Sequence, residues 1–182
     1  MPGGEGFPQQ LIAIDPGSCS GWAMFCAGAL SSCGVYKWRN DEELPTVALT
    51  PGAPGVVVVE LPKVYPGEKR QVPANDLIQL AYRAGMLSQF VGGGAKPGLV
   101  TSGGKSQKIN VVFPYEWKRQ VPDSILYARI DRVLRPEERA VAEAAECAKS
   151  YRHNMLDAIG IGLVFLGRSL PGFVGSGIGK EG

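Results

Sequence analysis

The chain has 182 residues, with 19 Lys and Arg against 17 Asp and Glu, one His, and a formal net charge of +2. Apolar residues make up 45% of it, which is enough to form a core and excludes disorder over the whole length. The near-neutral balance excludes a histone-like polybasic protein, and the single His excludes a His-rich metal site.

This length is typical of one domain, which we expect at residues 11–168 between flexible tails at 1–10 and 169–182. The Gly/Pro-rich opening contains no apolar leader, and no apolar run reaches the ~20 residues of a membrane-spanning helix. The four cysteines include no close pair of the kind that zinc sites use, which favours free thiols and an intracellular protein. They are Cys19, Cys26, Cys33 and Cys147.

Short apolar runs bounded by turn residues predict the strands. The first run ends in Asp15 before Pro16-Gly17, and four consecutive valines end in Glu60, which is typical of a strand covered on both faces. The two runs after Gly17 predict an antiparallel meander that turns at Ala27-Gly28. The predicted strands are 11–15, 21–25, 29–38, 56–60, 99–101 and 111–113.

Apolar residues at helical spacing, together with helix start and stop signals, predict the helices. Asn75 is a candidate N-cap for one of them, and Pro136 followed by two acids opens another. The predicted helices are 41–49, 75–91, 136–150 and 153–166. Strands alternating with helices in one domain predict an α/β or mixed α+β fold.

Three acids occur where apolar surroundings make a lone carboxylate costly. Asp15 and Glu60 end two strands, and neighbouring central strands would bring them together. Asp157 lies among apolar residues in the first turns of the last helix, with Asn154 and His153 on the same helix face. Close carboxylates repel one another, and Mg²⁺ or Mn²⁺ relieves that repulsion.

Each of these residues also has a simpler interpretation. Asp15 and Glu60 can each begin a turn, and Asp157 can be a favourable charge near a helix N-terminus. Asn154 can be the N-cap of the helix, and His153 an ordinary surface residue.

Four segments in order resemble the RuvC-type Holliday-junction resolvases of the RNase H-like nuclease superfamily. LIAIDPGSCSGWAMF (11–25) resembles the opening strand, VVVVE (56–60) the strand that ends in the second metal ligand, and HNMLDAIGIGL (153–163) the C-terminal helix. FPYEWKRQVP (113–122) is similar to a segment of phage-type members, in which Pro-x-x-Trp-Lys follows a core strand.

The resemblance implies an RNase H-like α/β fold, with a mixed central sheet flanked by helices. It implies a homodimeric, Mg²⁺- or Mn²⁺-dependent endonuclease that resolves four-way DNA junctions, leaving 5′-phosphate and 3′-hydroxyl ends. Asp15, Glu60 and Asp157 would hold the metal, and Lys118 would contact the scissile phosphate. Many members carry an aspartate where this chain has Asn154, so the fourth ligand is Asn154 by spacing or His153 by chemistry. The helix at 77–91 is a candidate dimer interface.

Charge is unevenly distributed along the chain. Residues 61–119 contain 9 basic and 3 acidic residues, whereas residues 1–60 contain 2 basic and 6 acidic ones. A basic segment directly after Glu60 suits phosphate contacts, and an aromatic within it can stack on an unpaired base. The candidate DNA-binding residues are Lys63, Tyr65, Lys69, Arg70, Lys105, Lys108, Lys118 and Arg119.

Two further functions are compatible with the same residues. The first is an RNase H-like nuclease acting on other branched DNA or on RNA–DNA hybrids. The second is a junction-binding protein that has lost full metal occupancy, which Asn154 favours because it removes one negative charge from the site.

Overall fold

The fold is described from a computed structural model, covering residues 9–37, 55–61, 76, 78–85, 108–118, 121–168 and 170. The helix predicted at 41–49, the strand predicted at 99–101 and most of both predicted tails lie outside these residues. Gln10, in the predicted N-terminal tail, begins the first strand, and Leu170, in the predicted C-terminal tail, is completely buried in the core.

Five strands form one mixed sheet, namely β1 (Gln10–Asp15), β2 (Cys19–Cys26), β3 (Ala29–Lys37), β4 (Gly55–Glu60) and β5 (Lys108–Val112). Their order in the sheet is β3-β2-β1-β4-β5. The meander β1-β2-β3 is antiparallel, β4 pairs with β1 in parallel and β5 pairs with β4 in parallel, so the sheet combines both kinds of pairing. Ala27 and Gly28 both have positive φ at the tight turn between β2 and β3.

Helices cover both faces of this sheet, as an α/β fold requires. The first, α1, spans residues 78–85, with residue 76 also helical. The others are α2 (Pro114–Trp117), α3 (Asp123–Val133), α4 (Pro136–Ala144) and α5 (Arg152–Phe165), with a 3₁₀ turn at Lys149–Tyr151 before α5. Within the described residues, no helix has the length and apolar character needed to cross a membrane.

The helix predicted at 136–150 is too long by six residues. The chain leaves the helix at Ala145, which is extended, and re-enters helical structure only at the 3₁₀ turn. Packing decides this, because α4 lies against β3 whereas α5 must lie over β2 and β1. Helix α3 was not predicted, although Leu126 and Ile130 form a buried pair at helical spacing.

The valines of β4 pack into the core on both faces of the sheet, as their unbroken run predicts. Val58 belongs to the larger core cluster under α5, and Val57 and Val59 belong to the smaller cluster with Ala84 of α1. Side chains alternate along a strand, so a strand buried on both faces has no position for a polar residue until it ends. Glu60 is that end.

Helix α5 approaches the sheet unusually closely, because glycines remove the side chains that would separate them. A Cβ on Gly21 of β2 would lie 1.9 Å from the backbone oxygen of Asn154. A Cβ on Gly162 would lie 2.1 Å from the ring of Phe25. The close approach determines how far Asp157 lies from the ends of β1 and β4.

Candidate functional site

The carboxyl ends of β1 and β4 place two acids side by side. The two strands are parallel neighbours in which Ile14 pairs with Val59, so Asp15 and Glu60 are the next residues at the same edge. Asp15 is partly buried and Glu60 is 8% exposed. The prediction that these two strand ends meet is confirmed.

Helix α5 adds the third acid. Asp157 is 7% exposed, and its charge contributes to raising the pKa of Asp15. Burial is the main cause of that increase, which takes the pKa of Asp15 well above its ordinary value of 3.8, and Glu60 is the next cause. The structure therefore brings the three predicted acids into one electrostatic cluster.

Lys118, which follows α2, supplies a cation to the cluster. Its Nζ donates a hydrogen bond of 3.0 Å to Asp157 Oδ2 and lies 3.6 Å from Glu60 Oε2. Burial opposes its charge, but the three carboxylates outweigh burial and raise the pKa of Lys118. The structure thus places Lys118 beside the three predicted acids.

Trp117 also binds the Glu60 carboxylate and was not identified from the sequence as a site residue. The ring is completely buried, and its Nε1–H donates a hydrogen bond of 2.5 Å to Glu60 Oε2. The sequence signal was its position directly before Lys118, in the segment that resembles phage-type resolvases. Periodicity predicts burial of an indole and says nothing about where its N–H points.

Burial is also the main influence on the pKa values of Glu60 and Asp157. It raises the pKa of Glu60, against opposing contributions from Lys118 and from the Trp117 hydrogen bond. It raises the pKa of Asp157 as well, against the opposing charge of Lys118. In both residues a single ammonium group fails to offset the cost of removing a carboxylate from water.

Tyr127 of α3 borders the cluster and was not identified from the sequence. Burial raises the pKa of its hydroxyl, and the nearby carboxylates of Asp157 and Asp123 raise it further. Tyr127 remains protonated at neutral pH and so faces the acids as a neutral hydroxyl. A helix spacing of four residues puts Asp123 and Tyr127 on one side of α3.

The acids have carboxylate oxygens that could still bind a cation. Asp157 Oδ1 is buried and has no hydrogen-bond partner. Within the described part of the chain, no group donates a hydrogen bond to the side-chain carboxylate of Asp15 either. Clustered carboxylates with raised pKa values and an orphaned buried oxygen fit a hard divalent cation.

As the side chains lie, the described residues form no ready-made group of three His, Cys, Asp or Glu ligands. The ammonium group of Lys118 contacts Glu60 and Asp157 together. A cation bound by the three acids would have to share this space with Lys118 or displace it.

Among the described residues, neither contender for a fourth ligand forms a hydrogen bond or ion pair with the acids. The Asn154 amide donates a hydrogen bond of 2.7 Å to the backbone carbonyl of Cys19, tying α5 to β2. Its interpretation as N-cap is wrong, because the N-cap is Tyr151, three residues earlier. His153 is exposed, in agreement with its interpretation as an ordinary surface residue.

Most of the candidate DNA-binding residues lie outside the part of the chain that the structure describes. Lys108 begins β5, and its side chain is not described, whereas Lys118 lies in the acidic cluster. Those that lie outside the described residues are Lys63, Tyr65, Lys69, Arg70, Lys105 and Arg119.

No protein-family model and no curated protein matches this chain. A functional proposal therefore depends on the residues of the site and on their geometry.

Proposed function

We propose that this protein is a metal-dependent, structure-selective DNA endonuclease with an RNase H-like fold, and that its substrate is a four-way junction. The observation that carries the proposal is the convergence of Asp15, Glu60 and Asp157 around Lys118. Three carboxylates kept close together in partly buried surroundings are costly to the fold, and a cation site explains that cost.

The architecture supports the same proposal. A mixed sheet with helices on both faces is compatible with an RNase H-like domain. The acids lie beyond the carboxyl ends of two parallel central strands, where open α/β sheets generally bind ligands. A nuclease of this kind would act on DNA inside the cell.

Asp15, Glu60 and Asp157 would hold Mg²⁺ or Mn²⁺. When bound, such ions activate water and stabilise the leaving oxygen in phosphodiester hydrolysis. Lys118 would balance the acids before substrate arrives and contact the scissile phosphate afterwards, because a flexible four-carbon stem lets its ammonium group change partners. Tyr127 would offer its neutral hydroxyl as a donor at the edge of the site.

The basic segment at 61–119 would hold the DNA. Its excess of Lys and Arg suits sequence-independent contacts to phosphates, which position a nucleic acid without reading its bases. Such binding weakens steeply as salt concentration rises.

The experiment that tests the proposal is a cleavage assay on a panel of labelled substrates. The panel contains a four-way junction, a replication fork, a flap, an RNA–DNA hybrid and linear duplex, each with Mg²⁺, Mn²⁺ or EDTA. We expect metal-dependent cleavage of the junction in preference to linear duplex. Preference for the fork, the flap or the hybrid would move the assignment to another RNase H-like nuclease.

A second candidate is a junction-binding protein without cleavage activity. Lys118 favours it, because its ammonium group already neutralises part of the acidic cluster. Tight, salt-sensitive junction binding with no cleavage in either metal would support this candidate and contradict the enzyme.

We also propose a homodimer, which would let two sites cut the two strands symmetrically. Helix α1 is the candidate interface, and it exposes Ile78 (66%) and Tyr82 (57%) on one side, four residues apart. Sedimentation or light scattering at micromolar concentration measures the mass directly. A monomer that still makes paired cuts would contradict the dimer.

A further inference from the structure

The carboxylate of Glu60 accepts a hydrogen bond from an indole that has no contact with solvent. Trp117 Nε1–H donates to Glu60 Oε2 at 2.5 Å, and the exposed fraction of Trp117 is 0%. Hydrogen bonds to an ionised acceptor are short and about twice as strong as neutral ones. This contact therefore restricts the orientation of the Glu60 carboxylate.

The indole itself has little freedom to move. Helix α5 presents Gly160 to it, and a Cβ there would lie 2.7 Å from the Trp117 ring and 2.9 Å from Ile130. The short helix that carries Trp117 is closed by a hydrogen bond of 2.6 Å from the Phe113 N–H to the Glu116 carboxylate. Trp117 is thus wedged against the helix that carries Asp157.

The two oxygens of Glu60 consequently differ. Oε2 receives the Trp117 N–H and lies 3.6 Å from Lys118 Nζ. Oε1 has no hydrogen-bond partner among the described residues. Among the described residues, one oxygen is engaged by the protein and the other is available to a ligand.

We infer that Trp117 is a positioning residue for cation binding, which orients Glu60 through its indole N–H so that Oε1 is the ligand oxygen. The inference rests on the proposed metal site. Partners of this kind, which orient a metal ligand without touching the metal, typically account for about 10- to 100-fold in metal affinity.

A purely structural role would need only a buried ring whose N–H finds some acceptor. That role predicts lower stability when the N–H is removed, but no specific loss of metal affinity in the folded protein. The two roles can therefore be separated by measurements other than activity.

The test is calorimetric titration of the full chain with Mn²⁺ in the absence of DNA. Trp117→Phe keeps an aromatic ring and removes the N–H, and we expect its Mn²⁺ affinity to fall by about 10- to 100-fold. Trp22→Phe is the matched control. The Trp22 ring lies against Gly34 on the meander, and we expect wild-type affinity. Equal Mn²⁺ affinity in folded Trp117→Phe and wild type would overturn the inference.

A double-mutant cycle with Glu60→Gln tests whether Trp117 acts through Glu60. We expect Trp117→Phe to lower Mn²⁺ affinity in the wild-type background and to have no further effect beside Glu60→Gln. Additive losses would overturn the inference. If the wild type binds no Mn²⁺, the proposed function fails at that step, whereas binding that is indifferent to Trp117 removes only this inference.

A spectroscopic measurement covers the case in which Trp117→Phe does not fold. The chain has three Trp residues, so the ¹⁵N-labelled wild type should show three indole N–H resonances. We expect the resonance that shifts in Glu60→Gln to be the one that moves on titration with diamagnetic Mg²⁺. If it stays in place at saturating Mg²⁺, Trp117 does not sense the ligand state of Glu60, and the inference is wrong.

Discussion

The ammonium group of Lys118, at the end of α2, donates a hydrogen bond of 3.0 Å to Oδ2 of Asp157, which is buried on α5. This ion pair forms the centre of the acidic cluster. Asp157 keeps its other oxygen unpartnered. The chain's own cation therefore offsets part of the repulsion among the acids, and a divalent ion would compete with it.

Lys118→Met should tighten metal binding while it weakens cleavage. Methionine keeps an apolar stem and removes the competing charge, so we expect Mn²⁺ to bind roughly tenfold more tightly at pH 8, a change of about 1.4 kcal/mol. Cleavage should fall by about 100-fold or more, because a donor to the phosphate is lost. Lys37→Met, which removes a lysine that lies over Tyr151, is the control. Weaker Mn²⁺ binding in Lys118→Met would contradict the competition.

Asp15→Asn should abolish cleavage and preserve junction binding. The amide keeps the shape of the side chain and removes one negative charge from the cluster, so we expect a rate loss of about 100-fold or more. Gel-shift and cleavage assays on the same junction separate the two properties. Asp131→Asn is the matched control, since Asp131 is 67% exposed and pairs only with Arg139, at 3.5 Å, among the described residues. Undiminished cleavage by Asp15→Asn would remove Asp15 from the site.

The affinity for metal should change with pH in a range that lies above the pKa values of ordinary carboxylates. Burial and mutual repulsion raise the pKa of Asp15 well above 3.8, and burial also raises the pKa of Glu60 and of Asp157. A cation needs the deprotonated groups, so affinity should increase as pH rises through these raised pKa values and then level off. Higher Mg²⁺ concentration should move the acid limb of cleavage to lower pH. A Mn²⁺ affinity that is constant down to the ordinary carboxylate range would count against the cluster.

Glu138 should make the fold acid-sensitive independently of the site. It is 0% exposed and receives hydrogen bonds from Arg168 at 2.6 and 2.7 Å, from Arg135 N at 2.8 Å and from Leu30 N at 3.0 Å. These donors outweigh burial and lower the pKa of Glu138 from 4.5 to about 2. Its stabilisation is therefore complete above pH 4.5 and is lost as the pH falls towards 2.

Glu138→Gln should consequently lower the free energy of unfolding at pH 7 by about 3 kcal/mol, because it leaves Arg168 without its partner charge. The variant should also lose much of the pH dependence of stability in that acidic range. Urea unfolding at several pH values measures both effects. Glu137→Gln makes the same change at an exposed neighbour on α4 and should alter stability by less than about 0.5 kcal/mol. Similar effects from the two variants would show that the buried ion pair is unimportant.

Two glycine substitutions should have opposite effects on stability. Gly21→Ala places a methyl group 1.9 Å from the Asn154 carbonyl oxygen, and backbone must move to accommodate it. We expect a loss of about 2–3 kcal/mol. Among the described residues, a methyl group at Gly85 of α1 meets nothing within 4 Å, so Gly85→Ala should stabilise by up to about 1 kcal/mol. Thermal unfolding compares the two. If Gly21→Ala is tolerated without cost, α5 does not approach the sheet as closely as described.

The strands and their terminal acids could be predicted from the sequence because the signals are local. Four valines in a row and an apolar run stopped by Asp15-Pro16-Gly17 specify buried strands wherever they lie in a fold. The acids that end them must then reach the sheet edge. By contrast, α3 was missed, and the helix from Pro136 was extended past Ala144, since the packing of α4 on β3 overrides local preference there.

The sequence by itself thus determined which side chains are available for chemistry, namely Asp15, Glu60 and Asp157. Only the tertiary structure decided their partners. Lys118 lies 39 residues from Asp157, and Trp117 lies 57 residues from Glu60, so no local pattern relates them. Its spacing made Asn154 one of two contenders for the fourth metal ligand. Its amide instead donates a hydrogen bond to the backbone carbonyl of Cys19, 135 residues away in the sequence, because Gly21 lets α5 approach β2. Hydrogen bonds between distant segments depend on how helices pack on the sheet, and that packing is settled by side-chain volumes throughout the core.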